Sequence, residues 1–267
     1  MHILNRYEVV KILGAGSMGA VYLCRHRELS GRLFAVKLLS KDALAHPGVA
    51  KHFRDRALAS YSVTHPNLIQ IYEYFQDEDV VGLSMEYLEG GSLADLLLND
   101  ISMPEVTRIL IGICSGVQAV HDVGMIYKNL KPESVLFTKG REVKLAGFGT
   151  TVFINHGLNE HGGVSASINY VTPEYMTSGK EDKVGDIYRI GLLGYEMITG
   201  EYPFSGHTVH ETISKRLNEE LDSPQLHRSD CPESLAQVIQ KAASREVSAR
   251  YQSASEMRQA LESIRFS

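Results

Sequence analysis

Gly14-Ala-Gly-Ser-Met-Gly19-Ala-Val21, followed downstream by Phe34-Ala-Val-Lys37, is the stretch that decides the fold of this chain. Glycine allows the backbone to come close to a phosphate group. A G-x-G-x-x-G run alone is a weak signal, but this one leads into Val21-Tyr-Leu-Cys24, which is typical of a strand. In a dinucleotide-binding fold the same run opens a helix, so the sequence disfavours that fold. The glycine run and Lys37 together predict a phosphate-binding hairpin with a cation on a nearby strand.

The flanking sequence is strand-like up to Tyr87 and helical after it. One helix is predicted over about 48–63, and it ends before His65-Pro66 because proline cannot continue a helix. Apolar residues after the Ser102-Met-Pro-Glu105 capping-box spacing recur at helical intervals, and another helix is predicted over about 184–199. Alternating apolar residues predict five strands, at 7–13, 21–24, 33–39, about 68–75 and about 80–87.

Further motifs follow the glycine run in a fixed order. They are His65-Pro-Asn-Leu68, Met85-Glu-Tyr-Leu88, Asn129-Leu-Lys-Pro-Glu133, Thr172-Pro-Glu174, Asp186-Ile-Tyr-Arg-Ile-Gly191 and Arg250. In this order they resemble a Hanks-type (eukaryotic-like) Ser/Thr protein kinase domain, with similarity to the bacterial branch, over nearly the whole chain. The resemblance implies an α+β, bilobal kinase-like fold in one domain, 1–267. A five-stranded antiparallel N-lobe with one main helix (about 1–88) is expected to join a mainly helical C-lobe (about 92–267) through a hinge at about 86–91.

The resemblance also implies where a nucleotide would bind and which residues brace the fold. Glu174 and Arg250 correspond to an ion pair of the second lobe, Asp186 to the residue that holds the catalytic-loop backbone, and Phe148 to a structural aromatic. Val21, Ala35 and Leu136 match the apolar residues around adenine. The nucleotide-binding candidates are Leu13, Gly14, Ala15, Gly16, Ser17, Met18, Gly19, Val21, Ala35, Lys37, Met85, Glu86, Leu88 and Leu136.

The catalytic loop departs from the family pattern H-R-D-L-K-P-E-N and reads Tyr127-Lys-Asn-Leu-Lys-Pro-Glu-Ser134. The aspartate of the family accepts the proton of the substrate hydroxyl. Asn129 stands at that position, and an amide cannot accept a proton near neutral pH. Loss of a general base costs about 10²–10⁴ in rate. Ser134 replaces the asparagine that binds magnesium, and a serine hydroxyl is a poor ligand for a hard cation.

Two further departures concern charge. Gly147 stands where the D-F-G aspartate binds magnesium, so no metal site is expected. Arg56 stands where a glutamate pairs with the strand lysine; Asp55 could replace that glutamate only if the helix rotates, because neighbours on a helix point about 100° apart. The nucleotide cleft is expected to be about four charge units more positive than in the family. We therefore expect ATP, if it binds, to bind without magnesium; the alternative is an empty cleft with Lys37 turned to solvent.

The segment between Gly149 and Pro173 carries the candidate phosphorylation sites Thr150, Thr151, Ser165 and Ser167. In the family a basic residue reads a phosphate on this segment, and Lys128 takes the place of the usual arginine, which offers a bidentate fork that lysine lacks. The segment could be a substrate of a partner kinase or a docking site for a phosphopeptide-binding domain. The alternative is a surface loop whose hydroxyl groups have no role.

Composition and residue spacing argue against several other classes of protein, namely nucleic-acid-binding, membrane, secreted and cysteine-based metal-binding proteins. The net charge is −5, so nucleic acid is not an expected partner. No apolar run approaches the roughly 20 residues of a membrane helix, and no signal-peptide pattern is visible. Cys24, Cys114 and Cys231 show no metal-ligand spacing. A reducing compartment fits this usage, and a cytoplasmic location is expected.

The sequence therefore predicts a pseudokinase that is not an enzyme and acts as a scaffold or allosteric regulator. Its expected partner is a protein, either an active kinase or a phosphopeptide-binding domain. The alternatives are a weak or atypical Ser/Thr protein kinase or nucleotide transferase, and a purely structural domain with a vestigial site.

Overall fold

A computed structural model describes residues 2–16, 18–77, 80–147 and 169–266. It divides into two compact units. The described residues of the first lie within Met1–Glu89 and Gly147–Gly157, and those of the second within Gly90–Ala146 and Leu158–Ser267.

The strands of the first unit are β1 His2–Ile3, β2 Tyr7–Gly16, β3 Gly19–His26, β4 Leu33–Leu39, β5 Ile71–Asp77 and β6 Val80–Glu86. They form one antiparallel sheet with the order β1-β2-β3-β4-β6-β5. The five predicted strands are confirmed, and a two-residue strand, β1, adds to the edge beside β2. The strand predicted from residue 68 begins at Ile71, because Leu68 donates its N–H to the carbonyl of His65 and continues the turn after Pro66.

Two helices, α1 Lys41–Ala45 and α2 Val49–Ser60, pack on this sheet. The predicted single helix is α2, which follows Gly48 in the left-handed region at φ 84°. Phe53 and Ala57 lie one turn apart on α2 and are completely buried. They join Leu83 and other strand residues in one apolar core, which fixes the face that α2 turns to the sheet.

The second unit is mainly helical, with a small sheet of β7 Val135–Phe137 and β8 Val143–Leu145. The helix α6, Val184–Thr199, covers the predicted range, and all its residues except the last are buried, so it forms the centre of this unit. The helices are α3 Leu93–Leu96, α4 Met103–Asp122, α5 Pro173–Ser178, α6 Val184–Thr199, α7 Val209–Asn218, α8 Glu233–Ala242 and α9 Ala254–Glu262. Among the described residues, none of the helices has the length and apolar character that a membrane span requires.

Candidate active site

The carboxylate of Asp186, in the first turn of α6, holds the backbone of the segment 127–134. Its Oδ2 accepts the N–H of Tyr127 and its Oδ1 the N–H of Lys128, each at 2.8 Å. Lys128 has φ 64°, in the left-handed region, which a non-glycine side chain adopts at a cost. Such a conformation persists where the surroundings over-determine it. Asp186 therefore supplies the constraint that gives this segment its shape.

Asp186 is itself buried inside a polar network. His121 Nε2 lies 2.8 Å from Oδ2, and a guanidinium nitrogen of Arg189 lies 3.5 Å from Oδ1. Arg189 also pairs with Glu181 at 2.8 Å, and the side chains of both are almost inaccessible to solvent. A buried charge is tolerated when it is paired and hydrogen-bonded, so this network compensates the two carboxylates with one arginine and several N–H donors.

Asn129 lies two residues after Tyr127 and is partly exposed. Its backbone N–H donates to the carbonyl of Tyr127 at 2.8 Å, which turns the chain at this point. The ring of Tyr127 is buried, and its hydroxyl donates to the carbonyl of Ala146. The amide side chain of Asn129 can accept a hydrogen bond from an alcohol but cannot take its proton.

Ser134 closes the same loop. Its buried hydroxyl donates to the carbonyl of Lys131 at 2.8 Å and accepts the backbone N–H of Lys131 at 3.0 Å. A serine hydroxyl has one hydrogen and two lone pairs, so these bonds use the hydrogen and one lone pair. Ser134 thus has a structural role in the loop that leaves little of the hydroxyl for a metal ion.

The residues at the family's magnesium positions do not fit that ion. Magnesium takes oxygen ligands in octahedral geometry and prefers carboxylates and phosphates. Gly147 offers no side-chain oxygen, and the Ser134 hydroxyl is engaged within its loop. Within the described ranges, no group of three or more His, Cys, Asp or Glu side chains is arranged to hold a metal.

Gly147 has φ 91°, a conformation that glycine adopts without strain and an aspartate would not. Several predicted residues lie outside the described ranges, and the structure therefore does not bear on them. These are Ser17, Phe148, Thr150, Thr151, Ser165 and Ser167.

The glycine run forms the tip of the β2–β3 hairpin. Gly14 pairs with Val21, Ala15 with Ala20, and Gly16 with Gly19. Gly19 has φ 132°, and a Cβ placed there would lie 2.0 Å from the carbonyl oxygen of Leu38. Only glycine therefore fits at this position. A Cβ at Gly14 or Gly16 would meet no atom within 4 Å, so the backbone at these two positions is open to an approaching group.

Lys37 lies on β4 directly opposite Val21 of β3. Its Nζ is 5.8 Å from the centre of the Phe53 ring on α2, within range of a cation–π contact. Arg56 follows Phe53 by one helical turn and is partly exposed. The carboxylate of Asp55 lies 3.6 Å from Nε of Arg54, with both side chains about half exposed. In the structure Asp55 therefore pairs with its neighbour Arg54.

The predicted adenine contacts fall on both units. In the first unit Ala35 of β4 lies opposite Met85 of β6, and both are buried in the apolar core with Val21 packed against it. Leu136 belongs to β7 of the second unit and forms an isolated bridge with Ser92. The other candidates of the first unit lie along the hairpin and at the end of β6: Leu13, Ala15, Gly16, Met18, Glu86 and Leu88.

Glu174 and Arg250 form a bidentate ion pair in the second unit. Two guanidinium nitrogens of Arg250 lie 2.9 Å from the two carboxylate oxygens of Glu174. Burial raises the pKa of Glu174, but the hydrogen bonds and charge of Arg250 outweigh it and hold that pKa below its ordinary value. The pair joins the start of α5 to the segment before α9.

The sequence analysis missed three polar features of the second unit. One is the buried Glu181–Arg189 pair, and another is the cation Lys131 within the catalytic loop itself. The third is Glu196, whose carboxylate accepts a hydrogen bond from the hydroxyl of Tyr170 inside the fold. A charged residue on α6 was a usable signal, because Asp186, Arg189 and Glu196 interrupt a run that is otherwise mostly apolar.

Comparison with known proteins identifies relatives over nearly the whole chain. The profile of the family described as the protein kinase domain matches residues 7–263. The chain is 31% identical over 264 residues to a probable serine/threonine-protein kinase of Clostridium perfringens, covering 98% of this chain and 38% of that protein. It is 28% identical to the serine/threonine-protein kinase PrkC of Bacillus subtilis (96% and 40%). It is 30% identical to PknB of Mycobacterium leprae (96% and 42%).

These relatives bear on two predictions made from the sequence, the one about enzyme activity and the one about the family. The prediction that the chain is not an enzyme is wrong, because proteins that resemble it over nearly its full length are named serine/threonine-protein kinases. The resemblance to a Hanks-type kinase domain is confirmed. The chain spans about two fifths of the length of these relatives.

Proposed function

Because this chain belongs to the protein kinase domain family, we propose that it is an atypical Ser/Thr protein kinase that transfers phosphate from ATP slowly. One observation carries the proposal. The backbone of the catalytic loop is held by Asp186 through the N–H groups of Tyr127 and Lys128, although Asn129 replaces the proton acceptor. The loop retains a defined shape without the carboxylate that the family uses.

Phosphoryl transfer does not depend on a general base alone. Its transition state is largely dissociative, and catalysis consists mainly of positioning and of stabilising charge on the phosphoryl oxygens. The amide oxygen of Asn129 can accept a hydrogen bond from the substrate hydroxyl and so orient it. Proton acceptance by Asn129 is lost, which lowers the rate by about 10²–10⁴. The proposed activity is therefore slow, with the alcohol proton leaving to solvent after the phosphoryl group has moved.

We propose further that ATP binds independently of a divalent metal. Support comes from the residues at the positions where the family binds magnesium, because Gly147 and Ser134 do not offer suitable ligands. In addition, Arg56 stands where the family has a glutamate, so a negative charge is replaced by a positive one. Cations on the candidate elements include Lys37 and Arg56 in the first unit and Lys128 and Lys131 in the second. A metal-free nucleotide is a polyanion, and fixed cations of this kind can take over part of its charge compensation.

Thermal unfolding tests nucleotide binding directly. A ligand that binds only the folded state stabilises it by about 2.7 kcal/mol at a hundredfold excess over Kd. We expect ATP to raise the Tm equally in magnesium and in EDTA, and the variant Lys37→Met to lose the shift. Lys11→Met, on β2, removes a lysine outside the candidate set and is the matched control. A shift that needs magnesium contradicts metal independence.

Phosphotransfer is tested with ATP labelled at the γ-phosphate and a mixture of Ser- and Thr-containing peptides, with products located by mass spectrometry. We expect slow labelling of hydroxyl groups that disappears in Lys37→Met and persists in Lys11→Met. Labelling that is equal in all three proteins indicates a contaminating kinase. If no labelling exceeds the Lys37→Met background while ATP still raises the Tm, the domain binds nucleotide without transferring phosphate and the proposed enzyme activity is wrong.

A protein partner and a cytoplasmic location are part of the proposal. The chain corresponds to two fifths of its relatives, whose names specify only that they are serine/threonine-protein kinases. We propose that the partner is another kinase or a phosphopeptide-binding domain acting at Thr150, Thr151, Ser165 or Ser167. Mass spectrometry of these residues in the native protein tests this, and unmodified hydroxyl groups under all growth conditions contradict it.

A further inference from the structure

Arg189 lies three residues after Asp186 on α6 and contacts two buried carboxylates. Its Nη2 lies 2.8 Å from Oε2 of Glu181, and its Nη1 lies 3.5 Å from Oδ1 of Asp186. The side chains of all three residues are 4% exposed or less. The proposed reaction assigns a role to Asp186 but none to Arg189 or Glu181.

The two oxygens that Arg189 contacts also bind two other segments of the chain. Oε2 of Glu181 accepts the hydroxyl of Thr172 at 3.1 Å, and Oδ1 of Asp186 accepts the backbone N–H of Lys128 at 2.8 Å. A continuous path of polar contacts therefore joins Thr172 to Lys128, and Arg189 is its middle member. In a buried site the members of such a path polarise one another, so a change at one end affects the other.

Both ends of this path shape the backbone of their segments. Thr172 is completely buried, and its hydroxyl accepts the N–H of Tyr175 at 3.3 Å, which caps α5. It fixes the point where the segment that ends at Pro173 enters this helix. Lys128, at the other end, directly precedes Asn129, the residue proposed to orient the substrate hydroxyl.

Gly185 leaves room for the contact between Glu181 and Thr172. A Cβ added at Gly185 would lie 3.0 Å from Oε2 of Glu181 and 3.3 Å from Cγ2 of Thr172. Both distances are shorter than ordinary van der Waals contacts, so a larger residue would displace one of these side chains. Glycine weakens a helix relative to alanine, and this close packing is a physical reason for its presence in α6.

We propose that Arg189 is a positioning residue that couples the start of α5, at Thr172, to the backbone of the catalytic loop, at Lys128. A guanidinium is planar and its donors form a rigid fork, so it can hold two carboxylates in one relative position. A movement at Thr172 then changes how Asp186 holds the loop and where Asn129 lies. The expected effect on phosphotransfer rests on the proposed function, whereas the coupling is a property of the fold.

A purely structural role for Arg189 would be compensation of the two buried carboxylates. Removal of Arg189 would then lower stability, but the two ends of the path would respond to further changes independently. A double-mutant cycle separates the two roles, because it measures whether the effect of one substitution depends on the presence of another residue.

The readout is the backbone amide signal of Lys128 in the full chain. Tyr127-Lys128 is the one Tyr-Lys sequence in the chain, so ¹³C at tyrosine carbonyls and ¹⁵N in lysine isolate this signal by NMR. We expect Glu181→Gln to shift the signal in the wild-type background and this shift to be lost in Arg189→Met, where the path is already cut. Equal shifts in the two backgrounds, or no shift in the wild-type background, overturn the proposal.

A second pair of variants keeps the test decisive if Arg189→Met does not fold. Arg189→Lys retains the positive charge but not the fork. Gly185→Ala adds only a methyl group beside Glu181 and Thr172, and we expect it to shift the Lys128 signal much less in Arg189→Lys than in the wild-type background. Equal shifts again overturn the coupling.

Arg228→Met is the matched control, because it removes an arginine of the same unit whose partner, Asp230, is exposed. In this background Glu181→Gln should shift the Lys128 signal by the wild-type amount. If Arg228→Met abolishes the shift as Arg189→Met does, the loss is not specific to the path and the proposal is wrong.

Phosphotransfer gives an independent readout. Misplacement of a reacting group by about 1 Å costs up to about 10²-fold in rate, so we expect Arg189→Met to lower kcat by about tenfold or more. The KM for ATP should stay unchanged, and Arg228→Met should change neither constant. An unchanged kcat in Arg189→Met overturns the positioning role. If none of these proteins transfers phosphate while the Lys128 shifts still depend on Arg189, the proposed activity is wrong and the coupling stands.

Discussion

Arg250 and Glu174 face each other through two parallel hydrogen bonds of 2.9 Å, although they lie 76 residues apart in the chain. The side chain of Arg250 is completely buried, and that of Glu174 is 19% exposed. Because arginine cannot lose its proton in this environment, the pair stays charged whenever Glu174 is ionised. The pair thereby fixes the start of α5 against the segment before α9.

Removal of the Glu174 charge is expected to destabilise the second unit strongly. Glu174→Gln leaves the buried Arg250 without its counter-charge, and loss of one partner of a buried pair costs about 3–5 kcal/mol. Urea denaturation measures the change in the free energy of unfolding. The control is Glu262→Gln, which breaks the exposed pair with Arg258 and is expected to cost less than about 1 kcal/mol. Equal costs in the two variants contradict the role given to the buried pair.

The same pair predicts acid sensitivity. The pKa of Glu174 is depressed in the folded protein, so its contribution to stability is present above the unfolded value near about 4.3 and is lost as the pH falls through the folded value. The wild-type protein is therefore expected to lose more stability than Glu174→Gln between pH 5 and pH 3. Parallel stability curves for the two proteins in that window contradict this assignment.

Two glycines of the hairpin are expected to respond differently to alanine. A Cβ at Gly19 lies 2.0 Å from the Leu38 carbonyl oxygen at φ 132°, whereas a Cβ at Gly16 meets nothing within 4 Å. We expect Gly19→Ala to cost about 1–3 kcal/mol or more in the free energy of unfolding, and Gly16→Ala to change it by less than about 1 kcal/mol. Urea denaturation of both variants measures this. A harmless Gly19→Ala contradicts the close approach of β4.

Restoring a proton acceptor is expected to raise the proposed activity, and restoring the metal position alone is not. Asn129→Asp should raise kcat by about 10²-fold or more, because a general base contributes about 10²–10⁴. Gly147→Asp leaves Asn129 in place and forces a side chain into φ 91°, so we expect little gain. Asn218→Asp makes the same chemical change on α7 and is the control. Substantial phosphotransfer by Gly147→Asp alone contradicts our account of the catalytic loop.

The raised pKa of Glu196 predicts a dependence of stability on pH that is opposite in sign to the one predicted for Glu174. Its pKa in the folded protein is raised to about 7 by burial, so the folded state binds more protons than the unfolded state and stability falls as the pH rises from about 5 to 8. Glu196→Gln should remove this fall, which is worth about 1–3 kcal/mol by linkage. Stability curves in urea at several pH values measure it, with Glu201→Gln as the exposed control. A wild-type curve that Glu196→Gln leaves unchanged excludes this carboxylate as the cause.

The fold was predictable from sequence where pattern and steric rules agree. The alternation of strands in the first unit, the run of apolar residues in α6 and the proline after His65 each determine local structure directly. Ser102 shows the limit of local rules. It begins α4 as expected, but its side chain makes no cap bond. The Glu105 carboxylate, which in a capping box would accept the backbone N–H of Ser102, pairs with Arg108 and Arg141 instead. A surface arginine distant in sequence competes for the carboxylate that the capping box needs.

The chemistry of the site was less accessible, because it depends on contacts between distant segments. The family pattern identified Asn129, Ser134 and Gly147 as departures, but it did not show that the Ser134 hydroxyl is used to close its own loop. Nor did any local pattern reveal that the hydroxyl of Tyr170 donates to the carboxylate of Glu196, since the two residues meet only in the folded chain.

The contacts of Asp186 also bear on the order in which the second unit folds. The carboxylate that shapes the segment 127–134 is 58 residues later in the chain than Lys128 and 59 later than Tyr127. During synthesis the segment therefore emerges well before α6, whose Asp186 carboxylate accepts its N–H groups. Until then, no local contact favours the left-handed conformation of Lys128. Closing a loop of this length requires the loss of chain entropy before the contact is gained. The catalytic loop is thus expected to be among the last parts of the second unit to acquire protection in a refolding experiment, after α6 has docked.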